Sequence, residues 1–196
     1  MKRAYIAVLL SAALAAASGC AESVATIQTV HPPLGHRKVE TSQAAYQFST
    51  GRIIEIALAR QWILGGGEAV PDYEYIYISV PDRAGRHEVG QPGVELHRLV
   101  RIEREEFLYK ATSGTIKYRF AFLTKDHVHA DFDVQTELVP RPDLGAKSYP
   151  LKGTIKAAES ITVAQGLINK YRDNVERIAT PPAPPAAEEA PAETSK

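Results

Sequence analysis

The chain has 196 residues, 44% of them hydrophobic and 23% charged, a composition that sustains one ordinary globular domain. Its 23 basic side chains balance 23 acidic ones and form no basic run, so the electrostatic footprint of a nucleic-acid binder is missing. A single cysteine excludes an internal disulfide framework.

Met1-Lys2-Arg3 is a short cationic start, and Ala4–Ala17 follows with only Tyr5 and Ser11 departing from small or apolar character. A permanent helical span needs about 20 apolar residues, so this run is short for one. Basic start, short apolar run and small-residue exit together describe a secretory signal peptide. The exit is Ala17-Ser18-Gly19-Cys20. These residues resemble the lipobox of bacterial lipoproteins, whose usual form is Leu, then Ala or Ser, then Gly or Ala, then Cys. Ala17 stands where Leu is commoner.

The resemblance covers residues 1–21 and carries no family for the rest of the chain. It implies a signal peptide over 1–19, cleavage before Cys20, a thioether-linked diacylglyceryl group on Cys20, and acylation of the new amine with palmitate-type chains. Each buried methylene contributes about 0.8 kcal/mol, and several chains on one residue anchor stably where one holds only marginally. Ala21 rather than Asp after the cysteine implies outer-membrane sorting, facing the periplasm, in a diderm host. A monoderm host places the protein on the outer face of its cell membrane. Loss of Lys2 and Arg3 leaves 21 basic against 23 acidic side chains.

Residues 20–40 read as a lipidated cysteine and tether containing a short first strand, Val24–Val30, before a Pro-Pro-x-Gly break. One β-rich domain is expected over 41–179, because period-two alternation dominates there. The segment 51–63, "GRIIEIALARQWI", is ambiguous. Strand alternation groups Ile54, Ile56, Leu58 and Trp62 but puts Arg60 with them, whereas helical spacing groups Ile53, Ile54, Ala57, Leu58 and Trp62; the flanking glycines favour a strand. Gly65-Gly66-Gly67 reads as a turn and opens no helix that could cradle a phosphate. In "DYEYIYISVPD", Ile76, Ile78 and Val80 face one way and Tyr73, Tyr75 and Tyr77 the other. "PDRAGRHEVGQPG" and "VPRPDLGAKSYP" read as loops. The stretch beginning at Gly93 reads as two strands with a turn near Glu103–Glu105.

Two further strands alternate clearly. Ile116, Tyr118, Phe120 and Phe122 share a face opposite Lys117 and Arg119, and Val128, Ala130, Phe132 and Val134 share one opposite Asp131, Asp133 and Gln135. A hairpin with Thr124–Asp126 as its loop sets Arg119 opposite Asp131, Lys117 opposite Asp133, Tyr118 opposite Phe132 and Ile116 opposite Val134. Ile161, Ala164, Ile168, Tyr171, Val175 and Ile178 recur at helical spacing, predicting a C-terminal amphipathic helix near 162–178 that begins with a capping box at Thr162–Gln165. Its apolar seam can pack on the domain's own sheet or form a coiled-coil dimer contact; sheet packing is the commoner outcome. Residues 180–196 are rich in Pro, Ala and Glu and read as an extended, disordered tail reaching at most about 50 Å.

The chemically suggestive group is His127, His129, Asp131 and Asp133, whose side chains share one strand face. Imidazole and carboxylate suit zinc and similar divalent ions, so these residues are the candidate metal set of an envelope hydrolase acting through His127, His129 and Asp131. A solvated face paired with Lys117 and Arg119 accounts for more of the same residues. Tyr73, Tyr75 and Tyr77 are a candidate aromatic contact face for a sugar or apolar partner, or a row closed by the helix. No catalytic residues and no cofactor are assigned.

The fold expectation is a mainly antiparallel β-sandwich or strongly curved sheet with one C-terminal helix. The functional expectation is a membrane-anchored, non-enzymatic binding or structural module whose partners are the bilayer and an envelope protein or the cell wall. A metal-dependent hydrolase and a small-molecule or lipid carrier, with its ligand held between sheet and helix, are the alternatives.

Overall fold

The computed structural model describes residues 24–31, 39–62, 72–121, 126–139 and 147–179. Their strands are β1 (Ala25–Thr29), β2 (Val39–Ser49), β3 (Ile53–Trp62), β4 (Asp72–Pro81), β5 (Gly85–Glu88), β6 (Glu95–Ile102), β7 (Glu105–Phe120), β8 (His127–Leu138) and β9 (Ser148–Glu159). One helix follows, α1 (Ile161–Ala179). The protein is mainly β and mostly antiparallel, with its helix at the C-terminal end, as the alternating pattern predicts. The curvature goes to closure. Antiparallel pairing runs β2-β3-β4-β6-β7-β8-β9, and the parallel pairs Ala45↔Ala158 and Tyr46↔Glu159 join β9 back to β2.

The result is a seven-stranded barrel in which two long strands serve two partners along one edge. β9 pairs β1 over Leu151–Ile155 before it meets β2. β7 pairs β6 in its first part and β5 over Thr115–Tyr118. A bulge between Ala111 and Ser113 breaks the β7 ladder at this changeover. Gly114 beside it has φ +109°, and a Cβ there would stand 2.4 Å from the Asp133 carbonyl oxygen, so the bend requires glycine.

Alternation along each strand fills the barrel. Tyr46, Ile54, Ile56, Leu58, Ile76, Ile78, Leu96, Tyr118, Val128 and Phe132 belong to one buried cluster. Trp62, Val100, Ile102, Phe107, Tyr109 and Leu138 form a second towards the other end. Each such aliphatic or aromatic side chain contributes about 1.5–3 kcal/mol on burial.

Several expectations are corrected. The ambiguous segment resolves as the favoured strand, β3 over Ile53–Trp62, but β5 lies inside a stretch that reads as a loop because it is short and largely polar. The β7–β8 register differs by two residues from the expected one: Lys117 faces Asp131, Ile116 faces Phe132 and Arg119 faces His129. The Ala121 N–H donates to the His127 carbonyl at 2.9 Å, so the hairpin loop is longer than Thr124–Asp126. A shift of two leaves every side chain on its expected face, which is why the pattern could not report it.

The helix starts earlier than its expected cap. Ser160, immediately after β9, accepts the Val163 N–H on Oγ at 3.3 Å, and the Ala164 N–H donates to its carbonyl at 2.8 Å. Ala164, Leu167, Ile168 and Tyr171 are buried, whereas Ile161 is 64% exposed and lies off the seam. The seam packs on the outer face of the barrel against Ala57, Tyr75, Tyr77, Leu99 and Leu108. The signal segment, Gly65–Gly67 and the tail lie outside the described residues.

Candidate functional site

Three constellations concentrate polar chemistry, and the first carries the candidate metal residues. On β8, His127, His129, Asp131 and Asp133 alternate with the buried Val128, Ala130 and Phe132 and point out of the barrel. Next-but-one residues on a strand are about 7 Å apart, so the four span about 20 Å and cannot all ligate one ion held at about 2 Å. Their cross-strand neighbours are mostly basic: His129 lies between Arg119 and Lys156, Asp131 between Lys117 and Thr154, and Asp133 between Thr115 and Lys152. Lys152 Nζ is 3.2 Å from an Asp133 carboxylate oxygen, and His127 Nδ1 is 3.1 Å from Asp126 Oδ1. Among the described residues, no three His, Cys, Asp or Glu side chains converge as a metal-holding group.

Part of this face is concave. A groove of about 380 Å³ crosses β1, β9, β8, β7 and β5, with Gln28, Arg86, Lys117, Asp131, Asp133 and Lys152 in its wall. Thr26, Thr115 and Thr154 add hydroxyls. Gly153 lies in its lining, where an added Cβ would meet the Thr26 carbonyl oxygen at 2.5 Å and the Phe132 ring at 2.8 Å. The groove therefore offers both signs of charge, hydroxyls and an amide on a rigid wall, which suits recognition of a polar partner.

The second constellation is the tyrosine row. Tyr75 and Tyr77 are each 9% exposed beneath α1, and Tyr77 stacks on Tyr171 with ring centroids 5.4 Å apart. Tyr77 donates to Glu55 at 2.8 Å, and Glu55 also accepts from Gln47 at 2.8 Å and Arg172 at 3.2 Å. Tyr73 donates to Glu106 at 2.5 Å, and Arg177 of the helix reaches the same carboxylate. Burial, then the Glu55 contact, pushes the Tyr77 hydroxyl up to about 12. Burial opposes ionisation of Glu106, but Arg177 and Tyr73 outweigh it and hold this carboxyl below its usual range. The row is thus a fastening for the helix rather than a face open to an outside partner.

The third constellation was only half visible in the alternation. Arg60, Glu74 and Arg98 sit on inward positions of β3, β4 and β6, between the two apolar clusters, and are 6%, 0% and 1% exposed. Arg60 donates to one Glu74 carboxylate oxygen through Nε at 2.7 Å and also through Nη2. Arg98 Nε donates to the other at 2.6 Å. Burial disfavours the Glu74 charge, yet Arg98 and Arg60 overcome it and hold the carboxyl below its usual range. Arg98 Nη1 reaches the His31 carbonyl at 2.7 Å, and its guanidinium lies over the Tyr109 ring at 5.4 Å. His31, just past β1, bonds Tyr109 Oη at 2.6 Å and stacks on Tyr149 at 4.4 Å. Burial, then Lys147 and Arg98, pushes the His31 imidazole down. The sequence signal is Arg60 on an apolar face; Glu74, sharing the inward face of Ile76 and Ile78, and Arg98 complete the set.

Cys20 lies outside the described residues. No protein-family model, curated protein or solved structure matches this chain.

Proposed function

We propose that the chain is a lipid-anchored, non-enzymatic binding module of the bacterial cell envelope, held by acyl chains on Cys20 and meeting its partner in the groove of β1, β9, β8, β7 and β5. In a diderm host it faces the periplasm from the outer membrane. The observation that supports this reading best is the groove itself, about 380 Å³ with Arg86, Lys117 and Lys152 beside Asp131, Asp133 and three threonines. Such a lining suits an extended polar partner, an envelope protein segment or a cell-wall polymer, through hydrogen bonds and short-range ion pairs. The barrel interior is occupied by its own side chains, Trp62, Arg98, Tyr46, Tyr109 and Tyr118 being the largest, which favours surface recognition over carriage inside the barrel.

The anchor is tested by radiolabelled palmitate, expected in the wild type and absent from Cys20→Ala; equal labelling of both sinks it. The groove is tested by photo-crosslinking in intact cells. A crosslinker at Thr115 or Thr154 is expected to give one defined adduct that is missing when it is placed at the exposed Lys170 on α1. Adducts that do not differ between these positions remove the groove as the recognition site.

A further inference from the structure

One mouth of the barrel is closed by a cluster of aromatic rings, with one carboxylate beside it: Tyr46 Oη donates to Glu159 at 3.3 Å. Tyr46 and Tyr118 lie at its base, 0% and 1% exposed. Phe120 sits above them, its ring 5.9 Å from Tyr118 and 6.3 Å from Tyr46. Phe48 completes the cluster, stacked on Phe120 at 6.4 Å and edge-on to Tyr46 at 5.8 Å. Yet Phe48 is 49% exposed, one of only three large apolar side chains so exposed among the described residues. A half-buried phenylalanine projecting from an aromatic plug calls for an apolar cover.

The topology brings the N-terminal chain to this same mouth. β1 runs antiparallel to β9 and so begins near the end where β9 finishes at Glu159. The Lys156 N–H donates to the Val24 carbonyl, so Val24 is level with Lys156. Glu159 lies three residues further along β9, about 10 Å, and Phe48 is two residues beyond the Tyr46↔Glu159 pair, about 7 Å more. Four peptide steps separate Cys20 from Val24, a reach of about 14 Å at full extension. Cys20 therefore cannot extend beyond the level of Phe48 on that side. A bilayer holding chains attached to Cys20 is brought against the rim that carries Phe48.

We propose that the Phe48–Phe120 rim is a membrane-docking surface, seating the mouth of the barrel in the interfacial region of the bilayer that holds the protein's own anchor. This rests on the lipid-anchored reading of Cys20. Two phenylalanines alone make a weak membrane ligand. The tether converts their insertion into an intramolecular event at high effective concentration, so a small apolar patch suffices. Docking fixes the orientation: β1 runs away from the bilayer, the far mouth with His31 and Tyr149 faces the aqueous compartment, and the outer groove stands beside the membrane.

The test uses the full chain, processed in cells, purified with its lipid and reconstituted into phosphatidylcholine vesicles containing brominated acyl chains. Phe48→Trp adds a reporter at the rim, and Val30→Trp adds one at the other end of β1, where Val30 is 62% exposed. Trp62 is a constant, 1% exposed background in both. Brominated lipid is expected to remove about half of the emission added at position 48 and essentially none of that added at position 30. Equal quenching at both positions, or none at position 48, overturns the docking. Intact mass measures acylation of Cys20 separately. An acylated chain with an unquenched Trp at position 48 overturns the docking alone, and a chain without acyl mass overturns the anchored reading and the docking with it.

Discussion

The same residue types stand on both sides of one barrel wall with opposite energetic weight. Inside, Arg60, Glu74 and Arg98 form a triad almost without solvent contact. Outside, Lys152 and Asp133 lie 3.2 Å apart with side chains 63% and 66% exposed. Water screens the outer pair, and such contacts are worth about 0–1 kcal/mol. The inner charges have given up that water, so each depends on its partners. Burial, not pairing, therefore separates the charges that hold this fold from those available to a ligand.

The largest expected effect comes from breaking the inner set. Glu74→Gln leaves two arginines facing each other without a counter-charge, and should destabilise by about 3–5 kcal/mol in denaturant unfolding. A triple replacement, Arg60→Met with Glu74→Leu and Arg98→Met, removes all three charges and should unfold within about 1–2 kcal/mol of wild type, or be more stable. If Glu74→Gln cost no more than a surface substitution, the contrast between the two sides would fail.

Acid provides a second probe of the interior. The Glu74 and Glu106 carboxyls lie below their usual value in the folded protein, so their contribution is full above that value and is lost as pH falls through the folded one. Burial also lowers the imidazoles of His31 and His97, so stability is already being lost as pH falls below about 6.5. Stability should therefore decline progressively from pH 7 towards pH 3, with a shallower lower limb in the triple variant. A pH-independent midpoint over this range would contradict the linkage.

The alternation made most of the wall legible. Ile76, Ile78 and Val80 against Tyr73, Tyr75 and Tyr77 sorted the two faces of β4 correctly, because burial on one side of a strand imposes period two. The β9–β2 closure carries no such signal, since two parallel pairs far apart in sequence leave no local pattern. Four-residue β5 was too short to alternate visibly. The triad was hidden because inward polar residues violate the rule used to find inward positions, and only Glu74, directly opposite on the neighbouring strand, makes Arg60 sensible. The groove was hidden for another reason: strand pattern says which residues face outward but not that the sheet curves enough to make them converge.

Glycine substitutions test the curvature at intermediate magnitude. At Gly114 the positive φ and the 2.4 Å approach to Asp133 together make Gly114→Ala costly, about 2–3 kcal/mol. Gly166, on the exposed side of α1 with open space around it, is the opposite case. Gly166→Ala should stabilise by about 0.5–1 kcal/mol, measured by the same unfolding transition. Equal effects at the two positions would mean that the bend in β7 is not imposed by sterics.

The smallest stability effect is expected outside, where the functional effect should be largest. Lys152→Ala and Asp133→Asn each remove one member of an exposed pair and should shift stability by no more than about 0.5 kcal/mol. Both variants should nevertheless weaken the groove's crosslinked adduct, because they alter its wall and leave the core untouched. Zinc sharpens the distinction. With Arg119 and Lys156 flanking His129, titration of the purified protein is expected to give no tight one-to-one complex. Submicromolar stoichiometric binding that His129→Ala abolishes would instead make the outer face a metal site and reverse the assignment of its carboxylates from partner contacts to ligands.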